Sequence, residues 1–424
     1  MMLSSAGRHT VVILNDFGTV NGGAAKVAIE SAYGLAGRGH HVSYFCAVGP
    51  TDRRLHEAGV EVVCLDQPAS LDDPNRARGA VRNLWSSAAA QRLAGYLARK
   101  PGGVVHIHGW CKALSPSALW TVRNSGLPAV VTIHDYFLAC PNGALFDYRS
   151  NKNCPLRPMS AACIARNCDK RSYAMKAFRV LRQTIQNSAM NGAHTPWHFA
   201  AVSQFALNKI APFLPKPHTA SILENPADLV RLPPAEPARS NLYLAAGRLS
   251  PEKGFDVFAA AAARAGVRAT IIGEGECRSG VAAANSSLEM PGWLEHAEFV
   301  TRLREARALI FPSLWPETHG LVPLEAAAQG IPPIVSDNTA ARDWVVDGRN
   351  GLHIHAGDIG ALAAALERLK DDALVARLGR AAYDDYWAHA PTLAKHVDAL
   401  EALYESLLLG RAGRPASAGL AAGA

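Results

Sequence analysis

The chain has 424 residues, more than one hydrophobic core usually supports, so its length predicts two domains of roughly 200 residues each. Its composition, 49% hydrophobic and 19% charged, is that of a globular protein, and the net charge of +7 allows attraction to anions without singling out nucleic acid, a membrane surface or a phosphorylated substrate. Because the N-terminus has no apolar signal segment and no stretch is long enough to span a membrane, we expect a cytoplasmic protein with reduced cysteines.

A continuous apolar run from Thr10 to Asn15 predicts a buried parallel strand. Gly22 and Gly23 follow it, then apolar residues at helical spacing over 24–39 and a second strand over 40–49. The three elements form a βαβ unit, and the first turn of such a unit is a place where an α/β sheet admits a ligand. Two glycines alone are equally consistent with a tight turn into a helix, so the pattern leaves both interpretations open.

The rest of the first half continues to alternate strands and helices. The pattern predicts strands at 60–65, 104–108 and 130–137 and near 200, and helices at 82–99 and 115–124. His134 and Asp135 stand near the C-terminal end of their strand, which is the ligand-binding edge of a parallel sheet. His106 and His108 fit structural roles as well, so His134 is the better candidate for binding.

Four cysteines fall in a segment that is rich in turn-forming residues and lacks long periodicity. Four thiolates in a reducing compartment could bind zinc tetrahedrally and stabilise an insertion with little core of its own. Their spacing lacks the close pairs of usual zinc sites, so buried free thiols are the alternative. We therefore predict an insertion at 138–170, without assigning a metal to Cys140, Cys154, Cys163 and Cys168.

A basic segment over 166–186 predicts an amphipathic helix, in which arginine and lysine are interspersed with apolar residues. Such a helix can lie on an anionic lipid surface, and it can equally be the solvated face of a globular protein. The proline-bounded run 212–217 predicts a linker between the domains. The first domain is therefore expected to span 1–214, and the second 215–385, with its first strand at 219–223.

In the second domain a buried strand at Leu242–Ala246 is followed by Arg248 and Lys253. Two cations at the C-terminal edge of a parallel strand favour a diphosphate site, in which arginine supplies a forked donor and lysine a point charge. Surface salt bridges are the alternative for the same residues. Further strands are predicted at 269–272 and 309–312, and helices at 255–265, 295–307, 359–369, 374–379 and 383–409.

Two carboxylates stand eight positions apart, Glu317 in a proline-rich loop and Glu325 in a short apolar helix predicted at 324–329. Pro323 suits a first helical turn, and the helix N-terminus offers free N–H groups and a positive dipole end to an anion. Carboxylates accept hydrogen bonds from hydroxyl groups rather than binding phosphate. A phosphate at the helix end with hydroxyl-bearing rings on both sides describes a nucleotide sugar, whereas the spacing alone also fits two solvated glutamates.

These motifs together resemble the retaining GT-B glycosyltransferases of glycosyltransferase family 4. The resemblance covers nearly the whole chain and is strongest over 247–351. It rests on four features: two glutamates separated by seven residues at Glu317 and Glu325, Gly-Arg with Lys-Gly four residues later at Arg248 and Lys253, a His-Asp pair at His134, and the glycines Gly22 and Gly23.

The resemblance implies an α/β protein with the GT-B fold, in which two Rossmann-like domains face a cleft. A C-terminal helix at 386–409 would pack back on the first domain, and a disordered tail would follow at 410–424. His134 and Glu317 would contact the transferred sugar as catalytic residues. Donor-binding positions are implied at Gly22, Gly23, Arg248, Lys253, Thr318, His319, Gly320, Leu321 and Glu325.

The function so implied is retaining transfer of a hexose-type sugar from a nucleotide diphosphate sugar to a glycan, lipid-linked or small-molecule acceptor in surface polysaccharide biosynthesis. Because Arg248, Lys253 and the helix N-terminus would replace a divalent cation, no cofactor or metal is expected for catalysis. No nucleic-acid partner is expected, and peripheral contact with an anionic membrane is assigned to the 166–186 helix. A nucleotide-sugar epimerase or phosphorylase of the same fold, or a non-catalytic binding protein, is the alternative.

Overall fold

The computed structural model describes residues 8–192 and 197–412. In this part of the chain two α/β domains form, each around a parallel sheet. The first half contains the strands β1 Thr10–Phe17, β2 His41–Val48, β3 Glu61–Cys64, β4 Val104–Ile107, β5 Ala129–Ile133, β6 Phe146–Asp147, β7 Lys152–Asn153, β8 Trp197–Ala201 and β9 His218–Ile222. Its helices are α1 Gly23–Gly37, α2 Arg53–Glu57, α3 Arg76–Leu84, α4 Ser87–Leu97, α5 Pro116–Ser125, α6 Ala161–Ala165, α7 Tyr173–Met190 and α8 Gln204–Ile210.

The first sheet has the strand order β3-β2-β1-β4-β5-β8-β9, and its neighbouring strands are parallel. Helices pack on both faces, which explains why β1 and β5 are apolar runs without alternation: Val11, Val12 and Val130 are fully buried. The chain continues to β2 on one side of β1 and later to β4 on the other. The β1–β4 pair is therefore the switch point of the sheet, where the carboxyl ends leave a crevice.

The boundary between the domains lies later than the predicted linker at 212–217. β9 pairs with β8 from Trp197–His218 to Ala201–Ile222, so the strand expected to begin the second domain is the edge strand of the first sheet. The predicted boundary after residue 214 was therefore wrong by one strand. Prolines favour a turn between two elements as readily as a linker between domains, and here they lie in the connection between α8 and β9.

The single helix predicted at 82–99 was also wrong, because the chain forms α3 and α4 there. Trp85 ends α3 in an extended conformation, with φ −158° and ψ 122°. Ser86 then caps α4 by accepting a hydrogen bond from the N–H of Ala89 at 3.3 Å. A serine N-cap can start a new helix inside an apolar periodic pattern, since it satisfies a donor that the helix itself leaves free.

The basic helix predicted at 166–186 begins only at Tyr173, and Ser172 is its N-cap. Its basic side chains do not form a single exposed face, because five of the six are buried or paired with a carboxylate. The lipid-binding surface that the sequence suggested is therefore largely absent from α7. The five are Lys176 and Arg182, which are buried, and the pairs Arg166–Asp147, Lys170–Glu276 and Arg179–Asp169.

The second sheet is parallel, with the strand order β12-β11-β10-β13-β14-β15 and its switch point between β10 and β13. Its strands are β10 Leu242–Ala246, β11 Arg268–Ile272, β12 Glu289–Gly292, β13 Ala308–Phe311, β14 Pro333–Ser336 and β15 Leu352–Ile354. The accompanying helices are α9 Phe255–Ala265, α10 Arg278–Ala284, α11 His296–Arg304, α12 Leu321–Ala328, α13 Ile359–Arg368, α14 Asp372–His389 and α15 Leu393–Ala412.

α12 begins at Leu321, three residues before the helix predicted at 324–329. Gly320 precedes it with φ 120°, a backbone conformation that favours glycine. Pro323 lies in the first turn, where its missing N–H leaves no carbonyl unpaired. Leu321 and Val322 are therefore part of the helix end that follows the Glu317 loop.

The last helix, α15, packs back on the first domain, as the resemblance implied, but it begins at Leu393 and not at residue 386, because 386–389 are the end of α14. Val397, Leu400 and Tyr404 join the same buried cluster as Ile29 and Leu35 of α1. The helix extends to Ala412, so the start of the tail predicted as disordered from residue 410 is helical, and residues 413–424 of that prediction lie outside the described residues. Over 8–192 and 197–412, no helix combines the length and apolar character needed to cross a membrane.

Removing the Tyr404 hydroxyl should destabilise the protein. Its oxygen lies 2.6 Å from Nδ1 of the buried His106, and Tyr404→Phe would leave that nitrogen unpaired at a cost of about 1–3 kcal/mol. Urea denaturation followed by circular dichroism would measure the loss as a lower free energy of unfolding. Leu409→Ala is the control, because Leu409 is exposed on the same helix. Equal stability of Tyr404→Phe and the unmodified protein would contradict the assigned hydrogen bond.

Candidate active site

Hydrogen bonds between the domains bring the carboxyl ends of the two sheets together. The Thr318 hydroxyl donates to the carbonyl oxygen of His134 at 2.8 Å, and the Ser203 hydroxyl donates to the carbonyl oxygen of Thr318 at 2.7 Å. The rings of Tyr136 and Trp315 meet edge to face, with 6.5 Å between their centroids. The loop after β13 is thus held against the loop after β5, and the predicted donor residue Thr318 uses its hydroxyl for this contact.

Glu317, in the loop after β13, has a largely buried carboxylate with three donors. Oε1 accepts from Nζ of Lys253 at 2.7 Å, and Oε2 accepts from Oγ of Ser313 at 2.9 Å and Nε1 of Trp315 at 3.2 Å. Burial alone would raise the pKa of Glu317, but Lys253 and the hydrogen bonds outweigh burial and hold that pKa below its ordinary value. Glu317 is therefore a fixed anion at neutral pH.

Arg248 and Lys253 lie in the loop after β10, across the switch point from Glu317. The N–H of Leu314 donates to the carbonyl oxygen of Glu252 at 2.8 Å, which ties this loop to the Glu317 loop. The Lys253 side chain is 17% exposed, whereas that of Arg248 is 71% exposed and lies 3.5 Å from Glu252. The two predicted diphosphate ligands thus differ: Lys253 neutralises Glu317, and Arg248 is accessible at the edge of the sheet.

Glu325 lies one helical turn after Leu321 in α12. Its carboxylate has no hydrogen-bond donor among the described residues, although the side chain is partly buried. Burial raises the pKa of Glu325 to about 7, and Lys26 of α1 opposes part of that increase. A carboxylate that the protein leaves without a donor is available to accept hydrogen bonds from ligand hydroxyl groups.

His134 follows β5, and its ring is oriented by a second histidine. Nε2 of His134 lies 3.0 Å from Nδ1 of His108, and the two rings are stacked with 5.2 Å between centroids. Burial lowers the pKa of His134 to about 3, and the nearby His319 and His396 lower it further. His134 is therefore neutral at physiological pH, and its Nδ1 has no protein partner within 8–192 and 197–412.

A pocket of about 70 Å³ opens beside His134, at the ends of β1, β4 and β5; we call it the His134 pocket. Its walls include Asp135, the second residue of the predicted His-Asp pair, and Asp16, which the sequence argument did not use. Asp16 accepts hydrogen bonds from three successive backbone N–H groups, Lys112 to Leu114, at 2.8–2.9 Å. Asp16 could have been found, since it is the polar residue that directly follows the apolar run of β1.

The N-terminus of α1 reaches the same pocket, since Asn21, Ala24 and Ala25 line it. Gly22 is the N-cap of this helix and Gly23 its first residue. A β-carbon placed at either glycine would meet no atom within 4 Å. The space in front of the helix end is thus open, which favours the ligand interpretation of the two glycines over that of a tight turn alone.

His319 lines a different pocket, of about 440 Å³, which shares no wall residue with the His134 pocket. Ser203 and Trp344 lie in its wall, so the pocket is formed by both domains. Nδ1 of His319 is buried and has no hydrogen-bond partner in the described chain, and burial lowers the pKa of His319 to about 4. His319 therefore faces a cavity other than the His134 pocket, although it is near enough to Glu317 that this carboxylate opposes part of the decrease in its pKa.

The four cysteines of the insertion do not surround a metal site. Nζ of the buried Lys176 lies 3.5 Å from Sγ of Cys163 and 3.3 Å from Sγ of Cys168, and Sγ of Cys140 donates to Asn142 at 3.0 Å. Across the described residues, no group of three or more His, Cys, Asp or Glu side chains is arranged to hold a metal ion. This arrangement favours buried free thiols over the zinc hypothesis.

The arrangement of two parallel-sheet domains is found in solved glycosyltransferases of the GT-B fold. Sucrose-phosphate synthase from Thermosynechococcus elongatus is similar with a TM-score of 0.68 and 16% identity, over 95% of this chain and 100% of that one. HepE from Anabaena is similar with a TM-score of 0.63 and 15% identity, over 94% of this chain and 100% of that one. At these identities the likeness establishes the fold, and the predicted GT-B fold is confirmed.

Sequence comparison gives the family. Residues 22–183 match the glycosyl transferase 4-like domain, and residues 230–385 match the glycosyl transferases group 1. Glycogen synthase from Mycobacterium tuberculosis is 32% identical over 179 residues, and the lipopolysaccharide core glycosyltransferase LpsE from Rhizobium meliloti 30% identical over 154. These matches cover 38% and 35% of this chain and only 42% and 45% of the relatives. The chain belongs to the group 1 glycosyltransferases, which confirms the resemblance to family 4.

Separating Glu317 from Lys253 should destabilise the fold at neutral pH. Lys253→Met keeps the apolar stem but leaves the carboxylate with neutral donors only, and we expect a loss of about 2 kcal/mol in the free energy of unfolding. Because the folded-state pKa of Glu317 is lowered, its stabilisation is present above the ordinary pKa and is lost as the pH falls through the folded-state pKa.

Urea denaturation near neutral pH and in acid would measure this dependence. The double variant Lys253→Met/Glu317→Gln is the control, since it removes both charges and should recover most of the stability. A Lys253→Met protein as stable as the unmodified protein at neutral pH would contradict the role of the ion pair.

Proposed function

We propose that the protein is a retaining glycosyltransferase that moves a hexose-type sugar from a nucleotide diphosphate sugar to an acceptor bound by the first domain. The observation that carries the proposal is the contrast between two carboxylates beside the N-terminus of α12. Glu317 is charged and accepts hydrogen bonds from three protein donors, one of them on Oε1, whereas Glu325 has no protein donor and a pKa of about 7. The helix N-terminus thus has a fixed carboxylate, Glu317, on one side and, on the other, Glu325, which is free to accept hydrogen bonds from hydroxyl groups. This arrangement suits a diphosphate that carries a sugar on each side.

In this proposal the diphosphate binds at the first turn of α12, where Leu321 and Val322 offer backbone N–H groups. Arg248 reaches it from the loop after β10, because its side chain is mostly exposed. Glu325 accepts hydrogen bonds from the ribose, and Glu317 from the transferred sugar. Cationic and N–H groups aimed at the departing diphosphate stabilise the charge that develops there, so the proposal needs no divalent metal or other cofactor.

Proteins of similar fold have been crystallised with ligands of this kind. HepE from Anabaena was solved with UDP and with UDP-glucose, and TarM from S. aureus with UDP. The curated relatives include a lipopolysaccharide core glycosyltransferase and a phosphatidyl-myo-inositol mannosyltransferase. By analogy, we extend the proposal to surface polysaccharide biosynthesis, with a glycan, lipid-linked or small-molecule acceptor.

The first domain binds the other side of the transferred sugar. His134 is neutral, so its free Nδ1 forms a hydrogen bond to a sugar hydroxyl without carrying charge. Asp16 is engaged by three backbone N–H groups, which makes it an anchor for the loop after β4 rather than a nucleophile. We therefore propose that the acceptor hydroxyl attacks on the face from which the diphosphate departs. The new glycosidic bond forms as the old one breaks, and the hydroxyl proton passes to the departing phosphate oxygen.

A cytoplasmic location and contact with an anionic membrane through 166–186 stay predictions. Burial of Lys176 and Arg182 removes two of the cations that such contact would use. Arg171 remains exposed, two residues before the start of α7. Membrane contact through this segment would therefore depend on few of its side chains.

Donor binding should be independent of metal and should require Glu325. In a thermal-shift panel of UDP, GDP, ADP and their sugar conjugates without divalent cations, we expect one nucleotide to stabilise the protein. Glu325→Ala should weaken that binding about tenfold, because a hydrogen bond to a charged group contributes about 1.5–3 kcal/mol. Glu367→Ala, an exposed glutamate of α13, is the control. Unchanged affinity of Glu325→Ala would exclude the ribose role, and no nucleotide binding would exclude the proposed function.

The same measurement has a pH dependence with a defined sign. An ionised Glu325 accepts hydroxyl hydrogen bonds better than a protonated one, so the affinity for a nucleotide sugar should rise as the pH increases through about 7. A nucleotide sugar is the suitable probe because it has no terminal phosphate that titrates in this range. The rise should disappear in Glu325→Gln, and its persistence there would assign the titration to another group.

Sugar transfer should require residues of both domains. Glu317→Ala and His134→Ala should each lower the turnover of the nucleotide sugar by about 100-fold or more, because each removes a contact to the sugar across the cleft. Nucleotide release would be measured with a panel of acceptors, and circular dichroism would verify the fold. His355→Ala is the matched control for His134→Ala, since the His355 side chain is 79% exposed. Turnover near that of the unmodified protein in either variant would refute its catalytic role.

A further inference from the structure

A second, larger groove lies in the first domain, between α3, the loop before it and the first turns of α7. Its volume is about 660 Å³, and its exposed surface is mainly apolar. No element of the described chain fills it. We call it the α3–α7 groove, and its apolar wall is formed by Ala69, Leu71, Ala80, Ala174, Met175 and Phe178.

The α3–α7 groove adjoins the His134 pocket. Phe17, Cys111, Lys112 and Phe137 line both cavities. A molecule with one end beside His134 would pass these four residues to reach the apolar groove. The groove belongs to the first domain, on the side of the cleft where the proposed function places the acceptor.

The junction between the two cavities carries positive charge. Nζ of Lys112 lies 5.5 Å from the centre of the Phe17 ring, and the Arg182 guanidinium lies 4.8 Å from the centre of the Phe137 ring. Neither cation is paired with a carboxylate within the described residues. Nε of Arg182 is buried and has no hydrogen-bond partner there, while its NH2 group donates to the carbonyl oxygen of Pro141.

The wider lining of the groove has the same sign of charge. Besides Lys112 and Arg182, three arginines line it, of which one, Arg179, is paired with Asp169, and the lining contains one carboxylate, Asp72. The Asp135 carboxylate of the His134 pocket is near enough to both cations that they oppose the increase that burial causes in its pKa. Because the buried Arg182 guanidinium nevertheless has no hydrogen-bonded carboxylate, the site still favours an anionic ligand. The three further arginines are Arg76, Arg171 and Arg179.

We infer that the acceptor is a sugar joined through phosphate to a long apolar chain. The acceptor sugar lies in the part of the His134 pocket next to Lys112, beside the transferred sugar that His134 contacts. The phosphate lies at Lys112 and Arg182, and the chain in the α3–α7 groove. Forked guanidinium and point-charge ammonium groups match phosphate, and the apolar wall removes the chain from water. A free oligosaccharide would leave the apolar wall in water and the two cations without an anion. This inference rests on the proposed function for the transfer step, but the binding of the acceptor can be tested without it.

Binding of monododecyl phosphate, measured by isothermal titration calorimetry below its micellar concentration, tests the inference directly. Ala174→Trp should weaken binding at least tenfold, because the indole would occupy the groove that the exposed Ala174 lines. Ala177→Trp is the matched control: Ala177 is exposed on the same helix but does not line the groove, so affinity should be unchanged. Thermal melts of both variants would verify that they are folded.

The charge is tested with a second substitution and two further probes. Lys112→Gln should weaken monododecyl phosphate about tenfold and leave dodecyl maltoside, an uncharged probe with the same chain, unaffected. Inorganic phosphate alone should bind much more weakly than monododecyl phosphate. Equal affinity of Ala174→Trp and the unmodified protein, or no binding of monododecyl phosphate, would overturn the inference. If the unmodified protein binds monododecyl phosphate but none of the nucleotides, the proposed function is overturned and the groove assignment stands.

Discussion

The candidate site depends on the compensation of one largely buried negative charge. A carboxylate removed from water is stable only if cations and hydrogen-bond donors replace the water. Glu317 obtains Lys253 from the loop after β10 and Ser313 and Trp315 from its own loop after β13. These donors come from both sides of the switch point, so the Glu317 carboxylate fixes the relative position of the two loops. The same carboxylate is the group proposed to bind the sugar. Thr318, the next residue, extends this constraint to the other domain through its hydrogen bond to His134.

A chain of buried side chains links the cleft to the last helix. His134 contacts His108, the His108 ring lies 4.3 Å from the His106 ring, and His106 hydrogen-bonds to Thr132 and to Tyr404 of α15. Burial lowers the pKa of all three histidines, so the chain is neutral and its hydrogen bonds orient rings rather than carry charge. The return of α15 to the first domain thereby supports the ring that faces the proposed sugar site.

The sequence predicted those features that depend on short stretches of chain. The strands β1, β5 and β10 are apolar runs because helices cover both faces of a parallel sheet, and α9 begins and ends where its pattern predicts. Predictions failed where another interaction competed with the local pattern. Ser86 interrupts a helical period by capping α4, and β9 pairs with β8 despite the prolines before it. For the cysteines the sequence left zinc and buried free thiols open, because the position of Lys176 beside Cys163 and Cys168 depends on the tertiary fold.

The same distinction explains why the residues proposed to bind the donor could be inferred from sequence spacing, whereas the groove proposed for the acceptor could not. Arg248 and Lys253 come from one loop, and Glu317 to Glu325 from another, so their spacing in the sequence preserves their geometry. The His134 pocket and the α3–α7 groove instead combine the ends of three strands with α3 and α7. Residues from such separate segments share no spacing that a sequence pattern could reveal. In the sequence, Arg182 is one of six basic residues of the predicted helix at 166–186, and nothing distinguishes it from the others. Its burial without a counter-ion distinguishes it, and burial is a property that only the assembled fold supplies.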